Sequence, residues 1–312
     1  MTANAYKKRK TLTSIKRYWP LFLMTLPGMI YFIINNYVPM YGLTIAFREV
    51  DYAKGLFHGD WIGLKNFEFL FKTKEVWNIT RNTLLYNAVF IVLNTILALM
   101  VAIMLNEVRI RLVQRFCQTV ILLPYLISII IVAYLVYAFL AEDTGYINSV
   151  ILPALGKDKI SWYTTAKYWP VILVLVNAWK NVGYLSIVYF ASIIGIDKQF
   201  YEAAELDGAT KWQTIIHITL PAIAPTICTM VLLSVGRIFY SDFGLFYQVT
   251  MNSGPLVGVT NVIDTYVYRG LMQLNDIGMS SAASAYQSIV GCILVVLANY
   301  IVKKINPDNA LI

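Results

Sequence analysis

Charge is what this sequence has least of. Asp, Glu, Lys and Arg make up 13% of its 312 residues, against about 25% in an ordinary soluble domain. Mean hydropathy is +0.62, which argues against a water-soluble enzyme. Cysteine is scarce as well. Cys117, Cys228 and Cys292 share no close spacing and lie in apolar stretches, a pattern of neither a disulfide framework nor a metal site. His58 and His217 are too far apart for a metal cluster. No G-x-x-x-x-G-K-[ST] run occurs: Gly156-Lys157 is followed by Asp158 and lacks the upstream glycine, so the usual phosphate-cradling loop is missing. Paired histidines, a Gly-x-Ser-x-Gly turn and carboxylates in mid-span are missing too, which weighs against an intramembrane enzyme. No sequence period is visible. Nor is the internal symmetry of an ion-coupled secondary transporter, which stays as the alternative reading. A cleaved signal peptide is disfavoured, because the first apolar run is too long and is interrupted by Pro27 and Pro39.

What the chain has instead is long stretches without charge. A hydrocarbon layer about 30 Å thick takes roughly 20 helical residues to cross. Charge-free gaps of that size lie at 18–47, 82–106, 116–141, 212–236 and 277–302, and another at 168–196 is broken by Lys180 alone. The gap 243–263 contains Gln248, Asn252, Gly254, Pro255, Gly258 and Asn261, and it reads as a loop. The expectation is an all-α polytopic membrane protein with six transmembrane helices at about 19–40, 83–106, 117–140, 168–195, 222–241 and 279–302. Together these form a transmembrane domain over 18–304, between a basic segment 1–17 and a tail 305–312. Lys7, Lys8, Arg9, Lys10, Lys16 and Arg17 precede the first span, and Arg109, Arg111 and Arg115 fill the short loop after the second, so both termini are expected to be cytoplasmic. The net charge of +8 is thus an orientation signal rather than a sign of nucleic-acid binding. Segments 48–82, 141–167 and 242–278 then face outward, as candidate docking surface for an extracytoplasmic partner.

The segment 197–221 lies between spans four and five and reads as two short helices. Asp197 can cap the first. Phe200, Ala203, Ala204 and Asp207 share a face at helical spacing, and Gly208 suits the left-handed residue that ends a helix. Thr210 and Gln213 form a capping-box pair opening the second, whose Trp212, Ile215 and Ile216 make an apolar face that ends before Pro221. A small Ala203-Ala204 patch beside Glu202 permits close approach of a partner and offers it a charge, so the hairpin can dock into a groove on a soluble protein. The other reading is a plain surface helix in which alanine serves helix propensity.

Polar side chains within the spans mark candidate solute contacts. Lys180 in span four would cost about 2.5–3.5 kcal/mol in lipid, so it faces a cavity or a polar partner. Asn177, Trp179, Asn181 and Tyr184 around it offer donors and flat rings suited to hydroxyl-rich pyranoses. Equally, Lys180 can pair with a carboxylate or snorkel, and the asparagines can hold helices together. Arg237 and Tyr240 lie near the outer end of span five, where Arg237 is poorly aligned with Asp242 and free to face the same cavity.

The pattern Glu202-Ala203-Ala204, three residues, Gly208, nine residues, Ile218, one residue, Leu220-Pro221 resembles the EAA loop of binding-protein-dependent ABC importer permeases. Other stretches are similar to the branch that imports oligosaccharides and polysaccharide fragments: Tyr37-Val-Pro-Met-Tyr-Gly42, Asn82-Thr-Leu84, Leu105-Asn-Glu107, Gln118-Thr119, Leu123-Pro124, Trp179-Lys-Asn-Val-Gly183, Asp264-Thr-Tyr-Val-Tyr268 and Ala298-Asn299. The resemblance covers about 20–304. It implies the type I ABC importer permease fold in a multi-pass subunit of the bacterial cell membrane, surrounded by lipid. The implied partners are a second permease subunit in a heterodimer, two ATPase subunits that bind the ATP and Mg, an extracytoplasmic solute-binding protein and an oligosaccharide substrate. It also implies that Glu202, Ala203, Ala204, Asp207, Gly208 and Trp212 couple the chain to the ATPase. No cofactor or metal belongs to this chain in that reading.

Overall fold

The computed structural model describes the backbone of residues 3–51 and 55–305, and their side chains apart from 3–17, 69–71, 301 and 305. The tail expected over 305–312 lies, beyond residue 305, outside the described residues. Among those described, five helices are long and apolar enough to cross a membrane, or six if one bent pair is counted as a span. The chain is an all-α, multi-pass membrane protein.

Helix α1, Ala3–Phe32, runs on through a π-turn and tighter turns to Phe47, so its apolar stretch is Tyr18–Phe47. Then come α2 (Lys65–Lys72), α3 (Lys74–Glu107), α4 (Arg111–Leu126), α5 (Ile129–Leu140) and α6 (Trp169–Ile194). The hairpin helices α7 (Lys198–Leu206) and α8 (Lys211–Thr214) precede α9 (Leu220–Val235). The last are α10 (Ile263–Met272) and α11 (Ile277–Ile305).

Departures from the expected spans cluster in the third and fifth. The stretch 117–140 is not one helix, because α4 and α5 meet at 94°. Pro124 removes one backbone donor from the end of α4, and Ser128 restarts the chain by accepting a bond from the Ile130 N–H. Span five stops at Val235 rather than 241 and gives way to a turn through residue 239. At its other end the second hairpin helix does not stop before Pro221. It passes through a π-turn, Ile215–Thr219, directly into α9, making one apolar run Lys211–Val235. Pro221 follows the π-turn directly, so its missing N–H falls where the helical hydrogen-bond ladder is already shifted.

Among the described residues three apolar cores hold the bundle. Toward one end, Ala98, Ala102 and Leu105 of α3 meet Tyr189, Phe190 and Ile193 of α6 and Ile223 of α9. Ala98 and Ala102, four apart and fully buried, let the two long helices approach closely, which is how helices associate in lipid without a hydrophobic drive. Midway, Tyr86, Phe90, Ala133, Trp169 and Leu173 enclose Leu245, Phe246, Val249, Leu256 and Val262. The segment read as a loop, 243–263, folds back among the helices, with Met251, Gly254 and Pro255 exposed at its tip. A third core joins residues 43–47 to α10, α11 and the start of α3. The α1 stretch 18–41 contributes to none of these cores and is exposed throughout.

Candidate functional site

The hairpin 197–214 has the local geometry its sequence specifies. Asp197 caps α7 by accepting a bond from the Gln199 N–H at 3.0 Å. Gly208 has φ +74°, a left-handed turn that a side chain would strain. Thr210 and Gln213 form the complete capping box. Lys211 is ion-paired with Glu107 at the end of α3, and Tyr201 shares a hydrogen bond of 3.1 Å with Thr219, so the hairpin is tied to two spanning helices. Its outer face is apolar and uncovered: Leu206 is 90% and Trp212 69% exposed. Glu202, Ala203, Asp207 and Gly208 are exposed too, while Ala204 is half-buried.

Between α3, α4, α6 and α9 lies a cavity of about 560 Å³, within the 300–1,000 Å³ range typical of ligand pockets. Asn177, Asn181 and Tyr184 line it from α6, and Arg237 and Tyr240 from the turn after α9. Trp179 and Lys180 do not. The Lys180 Nζ instead donates to the carbonyl oxygens of Pro124, Tyr125 and Ile127, at 3.4, 3.3 and 2.6 Å. Asn87, Asn94 and Thr95 of α3, Tyr125 of α4 and Ser234 of α9 complete much of the wall. Sequence reasoning missed these. The available signal was Asn87 and Asn94, seven apart and hence on one face of an apolar helix. Asn94 donates to the Asn177 Oδ1 at 2.8 Å, while its own buried oxygen has no hydrogen-bond partner. The rings of Tyr125 and Tyr184 stack at 4.8 Å and 16°. Among the described lining residues Arg237 and Asp242 alone carry charge, and Asp242 accepts a bond from the Leu245 N–H.

The turn that carries Arg237 and Tyr240 is held by side chains from elsewhere. Asn87 donates to the carbonyls of Ile238 and Tyr240, and Gln287 to that of Phe239. Asp264, on α10 and outside the spanning stretches, accepts from the Ser241 N–H at 2.7 Å and from Gln287 at 3.1 Å. Burial raises the Asp264 carboxyl above its usual range; the bonds from Ser241 and Gln287 oppose this, and the charge of Asp242 adds to it. The folded state thus holds the Asp264 proton more tightly than the unfolded state does. Ionised Asp264 therefore lowers stability at neutral pH, and this penalty fades as pH falls from the raised folded value toward the ordinary value of about 3.9. Asp264→Asn keeps an oxygen for both bonds. It is expected to raise the thermal transition at neutral and alkaline pH, with the gain vanishing at acid pH. A lowered transition at neutral pH would contradict this.

A polar cavity walled by spanning helices, with an uncovered hairpin at one end, fits a membrane transport subunit. Its sequence places it more closely. The family described as binding-protein-dependent transport system inner membrane component matches residues 94–307, and the chain belongs to that family, the permeases of ABC importers. It is 34% identical over 303 residues to the polygalacturonan/rhamnogalacturonan transport system permease protein YteP of Bacillus subtilis (strain 168), covering 97% of this chain and 94% of that one. It is 33% identical over 298 residues to Protein LplB of the same organism, covering 96% and 93%. A chain in the crystal structure of a bacterial ABC transporter involved in the import of the acidic polysaccharide alginate superposes with a TM-score of 0.87 at 34% identity, over 95% of this chain and 99% of that one.

Proposed function

We propose that this permease passes oligosaccharides, and in particular acidic polysaccharide fragments, through the cavity by alternating access. The observation that carries the proposal is the lining: the amide atoms of Asn87, Asn177 and Asn181 left free by their internal bonds suit hydroxyl groups, the stacked Tyr125 and Tyr184 suit the C–H faces of sugar rings, and Arg237 suits a carboxylate. The similarity to a polygalacturonan/rhamnogalacturonan permease and to an importer of the acidic polysaccharide alginate supports the same class. In this reading α4 and α5 together form one of six crossings and both termini are cytoplasmic. The exposed α1 stretch 18–41 lies against a second, non-identical permease and lipid, and Glu202, Ala203, Ala204, Asp207, Gly208 and Trp212 seat in one of two ATPase subunits. A solute-binding protein delivers the cargo, and closure of the ATP-loaded pair rocks the helices from inward-open to outward-open.

The test is to purify the assembled importer and measure stimulation of ATP hydrolysis by its binding protein loaded with acidic or neutral oligosaccharides. Acidic cargo should stimulate, and stimulation by neutral cargo alone would overturn the assignment. A charge-assisted hydrogen bond contributes about 1.5–3 kcal/mol, and 1.4 kcal/mol is about tenfold in affinity. Arg237→Gln should therefore raise the acidic-cargo concentration for half-maximal uptake about 10- to 100-fold. An unchanged value would remove Arg237 from the pathway.

A further inference from the structure

Residues 177–184 of α6 present two faces. Asn177, Asn181 and Tyr184, spaced i, i+4, i+7, look into the cavity. Lys180, Gly183 and Tyr184, spaced i, i+3, i+4, instead meet the end of α4 beside its 94° break. A helix that ends inside a membrane leaves its last carbonyls without partners and without water to replace them. The three N–H groups of the Lys180 ammonium donate to carbonyls at this point, and its positive charge complements the negative end of α4. Three residues on, a Cβ at Gly183 would lie 1.9 Å from the Ile121 carbonyl oxygen, so its lack of a side chain lets α4 come close enough for Lys180 to reach. One residue further, Tyr184 stacks on Tyr125, which belongs to the last turn of α4 and lines the cavity.

We infer that Lys180 is a positioning residue: it caps the broken end of α4, and with Gly183 it fixes Tyr125 in the cavity wall without touching the cargo itself. The part of this inference that concerns cargo rests on the transport function proposed above, whereas the capping part does not.

The experiment compares Lys180→Met and Lys180→Arg in the fully assembled importer by two readouts. The first, amide hydrogen exchange over residues 121–132, needs no cargo. Lys180→Met should exchange at least about tenfold faster there, as expected where capping bonds are lost, and Lys180→Arg, which keeps several donors, should restore most of the protection. The second readout is uptake of an acidic and of a neutral oligosaccharide. Lys180→Met should lower the maximal rate for any transported cargo by the same factor, leaving the preference between the two unchanged. If Lys180→Met does not assemble, Lys180→Gln, with two donors in place of three, carries the same comparison and should give intermediate protection. Wild-type exchange in the variant, or loss of acidic cargo alone, would overturn the inference. Failure of either oligosaccharide to be transported by the wild type would instead count against the proposed function, leaving the exchange result to decide the cap.

Discussion

Glu202→Lys and Leu206→Asp are each expected to reduce cargo uptake at least about a hundredfold while leaving the thermal transition of the purified permease where it was. The first half follows from what such a surface does at an interface. Leu206 is 90% exposed and Glu202 is exposed beside the Ala203-Ala204 face, so neither contributes packing within the chain. The few hot-spot residues that cluster at the centre of a docked surface cost about 2 kcal/mol or more when lost, and 1.4 kcal/mol is about tenfold in affinity. Glu202→Lys adds like-charge repulsion against the basic group that a carboxylate there would meet, and Leu206→Asp adds the cost of burying an unpaired charge. The second half follows from the same exposure, since surface substitutions away from caps and buried contacts usually stay within about 0.5 kcal/mol. Uptake, binding-protein-stimulated ATP hydrolysis and thermal unfolding, measured on one preparation, separate the two halves. Wild-type uptake in both variants would mean that the hairpin merely connects two spans.

The second large effect is structural. Gly183→Ala places a methyl group 1.9 Å from a backbone oxygen of Ile121, and a backbone atom cannot rotate away as the end of a side chain can. Relief requires α4 and α6 to separate, which would also draw the Lys180 Nζ away from its carbonyls. Overpacking of this kind costs about 1–3 kcal/mol, and for a chain of 312 residues about 1 kcal/mol lowers the transition by roughly 1–2 °C. The expected result is a drop of several degrees and a poor yield of assembled importer. Gly258→Ala is the control: it meets open space and has no positive φ, and it should behave as wild type. Equal behaviour of the two variants would mean that the helices part without strain.

What was legible in the sequence was what local chemistry decides. The hairpin is written in residues that act within four positions of one another: Asp197 on Gln199, Gly208 in its own turn, Thr210 with Gln213. The cavity stripe of α6 was legible in part for the same reason, as Asn177, Asn181 and Tyr184 share a helical face. What escaped depends on partners distant in the chain. An uncharged run from 116 to 141 reads as a single span, and the break within it is stabilised by Lys180, more than fifty residues away. The early end of α9 is likewise supported by Asn87, Asp264 and Gln287 from three other segments. Lys180 is a polar residue whose two readings, cargo contact or internal partner, differ only in which way it points, and spacing does not encode that.

The bare stretch 18–41 carries a consequence for how the transporter is made. None of the three cores described for this chain receives it, and its side chains stay bare along the whole stretch. In the assembly proposed above the second permease covers it, so a subunit made without that companion keeps the stretch open to lipid alone.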